Sequence, residues 1–300
     1  MEVSMKKAKY ILIGGGILIF MAYMLRFIWE PQTRSELFDT NYLSITSEKG
    51  TSSFDYFNVQ EYNSTKYFLD EGNLIAQKGD SDKKEIQVKN VGSFLIREDE
   101  LVYILFDEKD KVYVKNLLNN KEKSISKKNA YILLNDNEYV YIYSEENILY
   151  KFDRLWNEVK IIDLNKNGFK GCFERACIIR GKLVFATESL DMYVYDEQKE
   201  TLDKVKMPKE EEHSKDGDVI KWKGNVYYML SYYDDGDLHN SFTRVDSSQN
   251  GIYKLNIDNK KMEKVSDKVG EIMLVMNNRL YIAASHFFGI SYQINSADVG

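Results

Sequence analysis

The sequence predicts an all-β protein, a β-propeller of about six four-stranded blades preceded by a single N-terminal transmembrane helix. Three observations carry this prediction. A strand–turn–strand wording recurs along the chain, further strand-like runs follow most copies, and one uncharged apolar stretch stands near the amino terminus.

The apolar stretch comes first. No residue from Tyr10 to Leu25 is charged; Arg26 interrupts, and Phe27, Ile28 and Trp29 continue. As a helix, residues 10–29 span about 30 Å, the thickness of a bilayer core. Arg26 lies near one end, where its stem lets the guanidinium reach the interface. Tyr10 and Trp29 stand where aromatic belts form. Lys6, Lys7 and Lys9 precede the span, whereas Arg26 and Arg34 behind it are mixed with Glu30 and Glu36. This bias predicts a cytoplasmic amino terminus and an extracytoplasmic remainder. A cleaved signal peptide shares the early charges and the apolar run. However, AYMLRFIWE has no small-residue cleavage site, and no Cys follows it to carry a lipid. The organisation is therefore a cytoplasmic segment 1–9, a transmembrane helix 10–29, a linker 30–50 and a propeller domain 51–300. The linker contains TNYLSIT (40–46), a segment suited to closing the ring.

The repeats follow. Their inner hairpins read FLIREDELVYILF (94–106), YILLNDNEYVYIYS (131–144), CIIRGKLVFATE (177–188), DVIKWKGNVYYMLS (218–231) and IMLVMNNRLYIAAS (272–285). Each joins two apolar runs through Asp, Asn or Gly, residues that tolerate the positive φ of tight hairpins. Third runs follow at 111–117, 147–153, 191–197 and 251–258, and short fourth runs at KSIS, EVKIID, DKVKM and MEKVS. Tyr113, Tyr150, Tyr193 and Tyr253 recur at a spacing of roughly 40 residues, the last step lengthened by an insertion. Four full copies lie between residues 91 and 267. A fifth begins near 270 and stops after two or three strands, and a degenerate copy occupies 52–90. A four-stranded unit cannot bury both faces alone, but a closed ring of such units can.

The 22 Tyr and 15 Phe set against 2 Pro are strand composition. A net charge of −6 and a pI near 5.4 exclude the basic face of a nucleic-acid binder. Lys and Glu are interspersed as on a solvated surface.

The runs LYKFD (149–153) and IYKLNID (252–258) resemble the secreted and membrane-anchored propellers of a Firmicutes family of unknown function. That family is distantly similar to the propellers of low-density-lipoprotein-receptor-related proteins. The resemblance covers residues 90–285 and implies the fold. The YWTD tetrapeptide is absent, and no catalytic or binding residue carries over.

The candidate partner-contact region is the insertion SYYDDGDLHNSFTRVDSSQNG (231–251), between the second and third strands of the fourth full repeat. Loops on a rigid scaffold carry function, and exposed aromatics with Arg suit a binding hot spot. Its candidate residues are Tyr232, Tyr233, Asp234, Asp235, Asp237, His239, Phe242 and Arg244. DDGD supplies too few oxygens for calcium and lacks EF-hand spacing, so no metal is assigned. Cys172 and Cys177, in GCFERAC, either form a local disulfide across an FER turn or are two buried thiols. His213 lies in the charged stretch PKEEEHSKDGD, and His286 near the carboxyl end. No nucleophile elbow, phosphate-cradling Gly loop or HExxH motif occurs, so neither a catalytic residue nor a cofactor is named. The aligned tyrosines either pack between blades or form a sugar-binding platform on one rim. The leading functional expectation is a membrane-anchored binding or scaffolding module for a protein or cell-envelope ligand. One alternative is a glycan-active enzyme with paired carboxylates at the ring's channel. Another is a structural subunit of an envelope complex with an apolar rim patch.

Overall fold

The computed structural model describes residues 58–299 apart from 80–82, 137, 170, 190, 209–213, 234–246, 271, 287–290 and 298. The expected transmembrane helix (10–29) and linker (30–50) lie outside these. Among the described residues no helix is long and apolar enough to cross a membrane.

The chain is an all-β propeller of consecutive antiparallel sheets. Sheet 1 holds β1 (Gln60–Tyr62), β2 (Thr65–Asp70), β3 (Asn73–Lys78) and β4 (Lys84–Val88). Sheet 2 holds β5 (Val91–Arg97), β6 (Glu100–Leu105), β7 (Lys111–Asn116) and β8 (Glu122–Ser126). Sheet 3 holds β9 (Ala130–Asn135), β10 (Val140–Ser144), β11 (Ile148–Phe152) and β12 (Glu158–Asp163). Sheet 4 holds β13 (Arg175–Ile179), β14 (Lys182–Ala186), β15 (Met192–Asp196) and β16 (Thr201–Lys204). Sheet 5 holds β17 (Ser214–Trp222), β18 (Asn225–Tyr233), β19 (Gly251–Asn256) and β20 (Lys261–Ser266). A last sheet has three strands: β21 (Ile272–Met276), β22 (Arg279–His286) and β23 (Ser291–Ser296). Five blades thus carry the expected four strands, and the last sheet, which was expected to stop after two or three strands, has three among the described residues.

The hairpin wording folds as its turn residues dictate. Asn63-Ser64, Arg180-Gly181, Lys223-Gly224 and Asn277-Asn278 all have positive φ at both central positions. This is the mirror-image turn whose twist matches that of the flanking strands.

A buried cluster fills each gap between neighbouring sheets. Leu74 meets Phe94 and Tyr103, Ile104 meets Leu133 and Ile142, and Tyr143 meets Phe173 and Phe185. Farther round, Val184 and Val194 meet Tyr228 and Leu230, and Met229 meets Met273 and Ile282. Finally Val59 and Phe68 pack on Leu274 and Met276, joining the first sheet to the last. Each sheet is buried on both faces, so its central strands read as continuous apolar runs rather than as a clean alternation.

One expected strand is redistributed. DKVKM (203–207) was to be the fourth strand of its repeat, but β16 ends at Lys204. Val205 turns into the core between sheets 4 and 5, and Lys206 bridges in parallel to Lys261 of the next sheet.

Candidate binding site

The innermost strand of each sheet leaves one edge unpaired, and its N–H and C=O groups need partners from elsewhere. Side chains of neighbouring sheets supply them. Ile96 N donates to Gln60 Oε1 (2.8 Å), whose Nε2 donates to Phe94 O (3.4 Å). Leu133 N donates to Ser93 Oγ (3.3 Å). Met273 N donates to Asp218 Oδ2 (2.7 Å), while Asp218 Oδ1 accepts from Arg175 Nη1 (2.9 Å) and from Val219 N (2.8 Å). Asp218 therefore ties sheet 5 to sheets 4 and 6. Burial pushes its carboxyl above the usual carboxylate range, against the pull of Arg175 and the two N–H groups. Both oxygens of this carboxylate accept from scaffold donors. The enzyme reading needs two carboxylates facing a substrate. Among the described side chains of the inner strands, Asp218 is the buried carboxylate, and it is held by scaffold donors. Among the described residues no group of three or more His, Cys, Asp or Glu is placed to hold a metal ion.

The insertion lies between β18 and β19 in the chain, and the described residues at its ends are part of the core. Tyr232 is 1% exposed and packs between sheets 4 and 5, so it is a core residue rather than a partner contact. The cause is the length of β18, which stays paired with β17 out to Tyr233. Tyr232 N donates to Asn250 Oδ1 (2.8 Å), Asn250 N to Ser247 O (3.0 Å) and Tyr253 OH to Gln249 O (2.5 Å). Ser247 and Asn250 are buried. Asp234, Asp235, Asp237, His239, Phe242 and Arg244 lie outside the described residues, as do the Tyr233 side chain, His213 and the His286 side chain.

The two cysteines are free. Cys172 is exposed in the connection before β13, whereas Cys177 sits mid-strand with its side chain in the core between sheets 4 and 5. The two thiols are therefore unbridged in the structure, with that of Cys177 held in the core.

The aligned tyrosines serve packing. Tyr113 stacks on Tyr103 at 5.2 Å, Tyr193 meets Phe173 edge-on at 5.3 Å, and Tyr253 is buried. The Tyr113 hydroxyl donates to Glu108 (2.7 Å), and that of its stacking partner Tyr103 to Glu122 (2.5 Å).

Sequence reasoning missed a group of lysines. Lys206, Lys261 and Lys264 line a cleft of about 420 Å³ on the flank of sheet 5, beside the base of the insertion. Its one sequence signal is a Lys-and-Met wording that recurs in KVKM (204–207) and KKMEK (260–264).

No protein-family model matches the chain and no curated protein matches it, so the Firmicutes resemblance rests on the repeat wording alone. Solved structures that align with it include the Pan2 WD40 domain of Neurospora crassa. That match has 10% identity, covers 79% of this chain and 75% of that one, and has a TM-score of 0.49. BamB from Moraxella catarrhalis aligns at 13% identity over 79% of this chain and 77% of that one, with a TM-score of 0.41. Hsv2 of Kluyveromyces lactis aligns at 9% identity over 78% and 94%, with a TM-score of 0.41. None of these bears on what this chain binds or does.

Proposed function

We propose that the protein is a membrane-anchored, extracytoplasmic propeller that works as a binding or scaffolding module for a protein or cell-envelope ligand. The carrying observation is the interruption of sheet 5. Elsewhere β6–β7, β10–β11 and β14–β15 are joined by short connections, but between β18 and β19 the chain inserts residues 234–250 on a base pinned by Tyr232, Ser247 and Asn250. A rigid base under a long rim loop suits recognition. The span 10–29 and the lysines before it support the anchor and its orientation. In the same reading TNYLSIT (40–46) lies beside β23 as a fourth strand and completes a six-bladed ring.

The test is affinity purification of the tagged full chain from its native membranes. A stoichiometric partner that disappears on deleting 234–246 supports the reading; the deletion spares Tyr232 and Asn250 and so leaves the core intact. A monomer without a partner refutes it. Location has its own assay, because Cys172 is exposed and Cys177 is buried. On whole cells an impermeant maleimide labels the wild type but not Cys172→Ser if the propeller is outside. Labelling that requires lysis refutes the orientation.

A further inference from the structure

The strap Val205–Met207 runs along the outer edge of sheet 5. Lys206 N donates to Lys260 O (2.8 Å), and Lys206 and Lys261 pair directly across the parallel bridge. Bridged residues carry their side chains to the same face, so two lysines leave the strap and β20 on one side, where like charges are unfavourable. Neighbouring lysines are matched to carboxylates: Lys204 to Asp191 (2.8 Å), Lys260 to Asp203 and Lys264 to Asp267 (2.6 Å). Lys206 and Lys261 are both exposed, and neither forms an ion pair among the described residues.

The cleft they border has an apolar floor. Met207 and Met262 pack on the buried core between sheets 4 and 5, and Tyr253 lies beside them. Lys264 crosses one side and donates to Ser248 O (2.8 Å), fixing the wall that the insertion's base provides. Gly251 makes room for this crossing, since a Cβ there would lie 2.5 Å from Lys264 Cε.

We propose that this cleft docks an acidic segment of a partner protein that carries an apolar anchor side chain. It deepens the binding-module reading and rests on it. Charge complementarity argues for the acid: the chain as a whole carries −6, whereas these two lysines have no ion pair among the described residues. An anionic partner relieves the repulsion across the bridge. The floor argues for a peptide over a bare anion, because Met207, Met262 and Tyr253 offer an inorganic anion nothing, whereas methionine adapts to varied apolar side chains. The volume lies within the range of built pockets and has room for one anchor.

The test uses the full chain purified in detergent and a fluorescein-labelled, glutamate-rich peptide interrupted by leucines. The leucine peptide binds, and raising the salt from about 0.05 to about 0.5 M weakens binding. Lys206→Gln with Lys261→Gln weakens it roughly fivefold or more. A matched peptide with serine for leucine binds roughly tenfold more weakly. Inorganic phosphate does not displace the leucine peptide at the same ionic strength. The double variant melts at or slightly above the wild-type temperature, since it removes a like-charge pair; this separates lost docking from lost folding. Equal binding by the double variant overturns the proposal. So does equal binding of the serine peptide, or displacement by phosphate, which makes the cleft a simple anion site. In the membrane purification, a partner lost on deleting 234–246 but retained by the double variant keeps the binding module and removes this cleft from it. Peptide binding through Lys206 and Lys261 with no native partner keeps the cleft and removes the module reading.

Discussion

Replacing Asp218 with alanine tests whether the ring is held at its centre by side chains that serve the unpaired edges of neighbouring strands. The substitution leaves Met273 N, a buried donor, without an acceptor, which costs about 1–3 kcal/mol. It also removes a charge-assisted bond to Arg175. That side chain is 31% exposed, so water recovers part of the loss, and about 1–2 kcal/mol remains. Together the loss is about 2–5 kcal/mol, or about 4–20 °C in Tm for a chain of this size. Asp218→Asn keeps an acceptor for one donor and loses about half as much. Arg175→Ala removes one of three donors and also falls short of Asp218→Ala, because Met273 N and Val219 N still hold the carboxylate. Thermal melts followed by circular dichroism rank the three variants. A drop under about 3 °C for Asp218→Ala refutes the reasoning. So does an Asp218→Asn variant as damaged as the alanine one, because the order depends on acceptor count.

Gly251→Ala brings a Cβ within 2.4 Å of Ser266 O at a φ of +152°, so it loses about 3 kcal/mol or more in melts; a neutral result disproves the close approach. The phenol of Tyr253 is pushed up to about 12 by burial, so its contribution is complete below pH 10 and is lost as pH rises toward 12. The melting gap between wild type and Tyr253→Phe therefore narrows between pH 9 and 12, and a constant gap rejects the assignment. Asp153 is held below the usual carboxylate range by the Asn157 side chain, then by the N–H groups of Asn157 and Leu155. Its contribution is present above about pH 4 and lost as pH falls through its depressed value, so the gap between wild type and Asp153→Ala closes in acid.

The hairpins were legible because their information is local. Asn-Asn, Arg-Gly and Lys-Gly between apolar runs specify a turn whatever surrounds it, and the structure places turns at those pairs. Edge partnership is not local. DKVKM has the alternation of an outer strand, but alternation does not say which sheet the strand joins. Val205 is drawn into the gap between sheets, and Lys206 joins the sheet after its own. Tyr232 was misread for a related reason. The acidic run after it looks like the start of a loop, yet the pairing of β18 with β17 continues to Tyr233 and carries Tyr232 into the core. The lysine cleft was illegible because Lys206 and Lys261 are distant in sequence and become neighbours only once the strap lies on β20.

Sheet 5 carries both the long insertion and the lysine cleft, and its bracing explains why it tolerates them. Its inner strand is tied on both sides through Asp218, its rim is closed beneath the insertion by Asn250 and Gln249, and its outer strand is overlaid by the strap from sheet 4. A rim loop adds little closure cost when its ends are already fixed at a short separation, because that cost grows only slowly with loop length. Removing 234–246 should therefore leave the Tm nearly unchanged while abolishing rim binding, whereas cutting the brace at Asp218 should lower stability and leave the chemistry of the rim as it was.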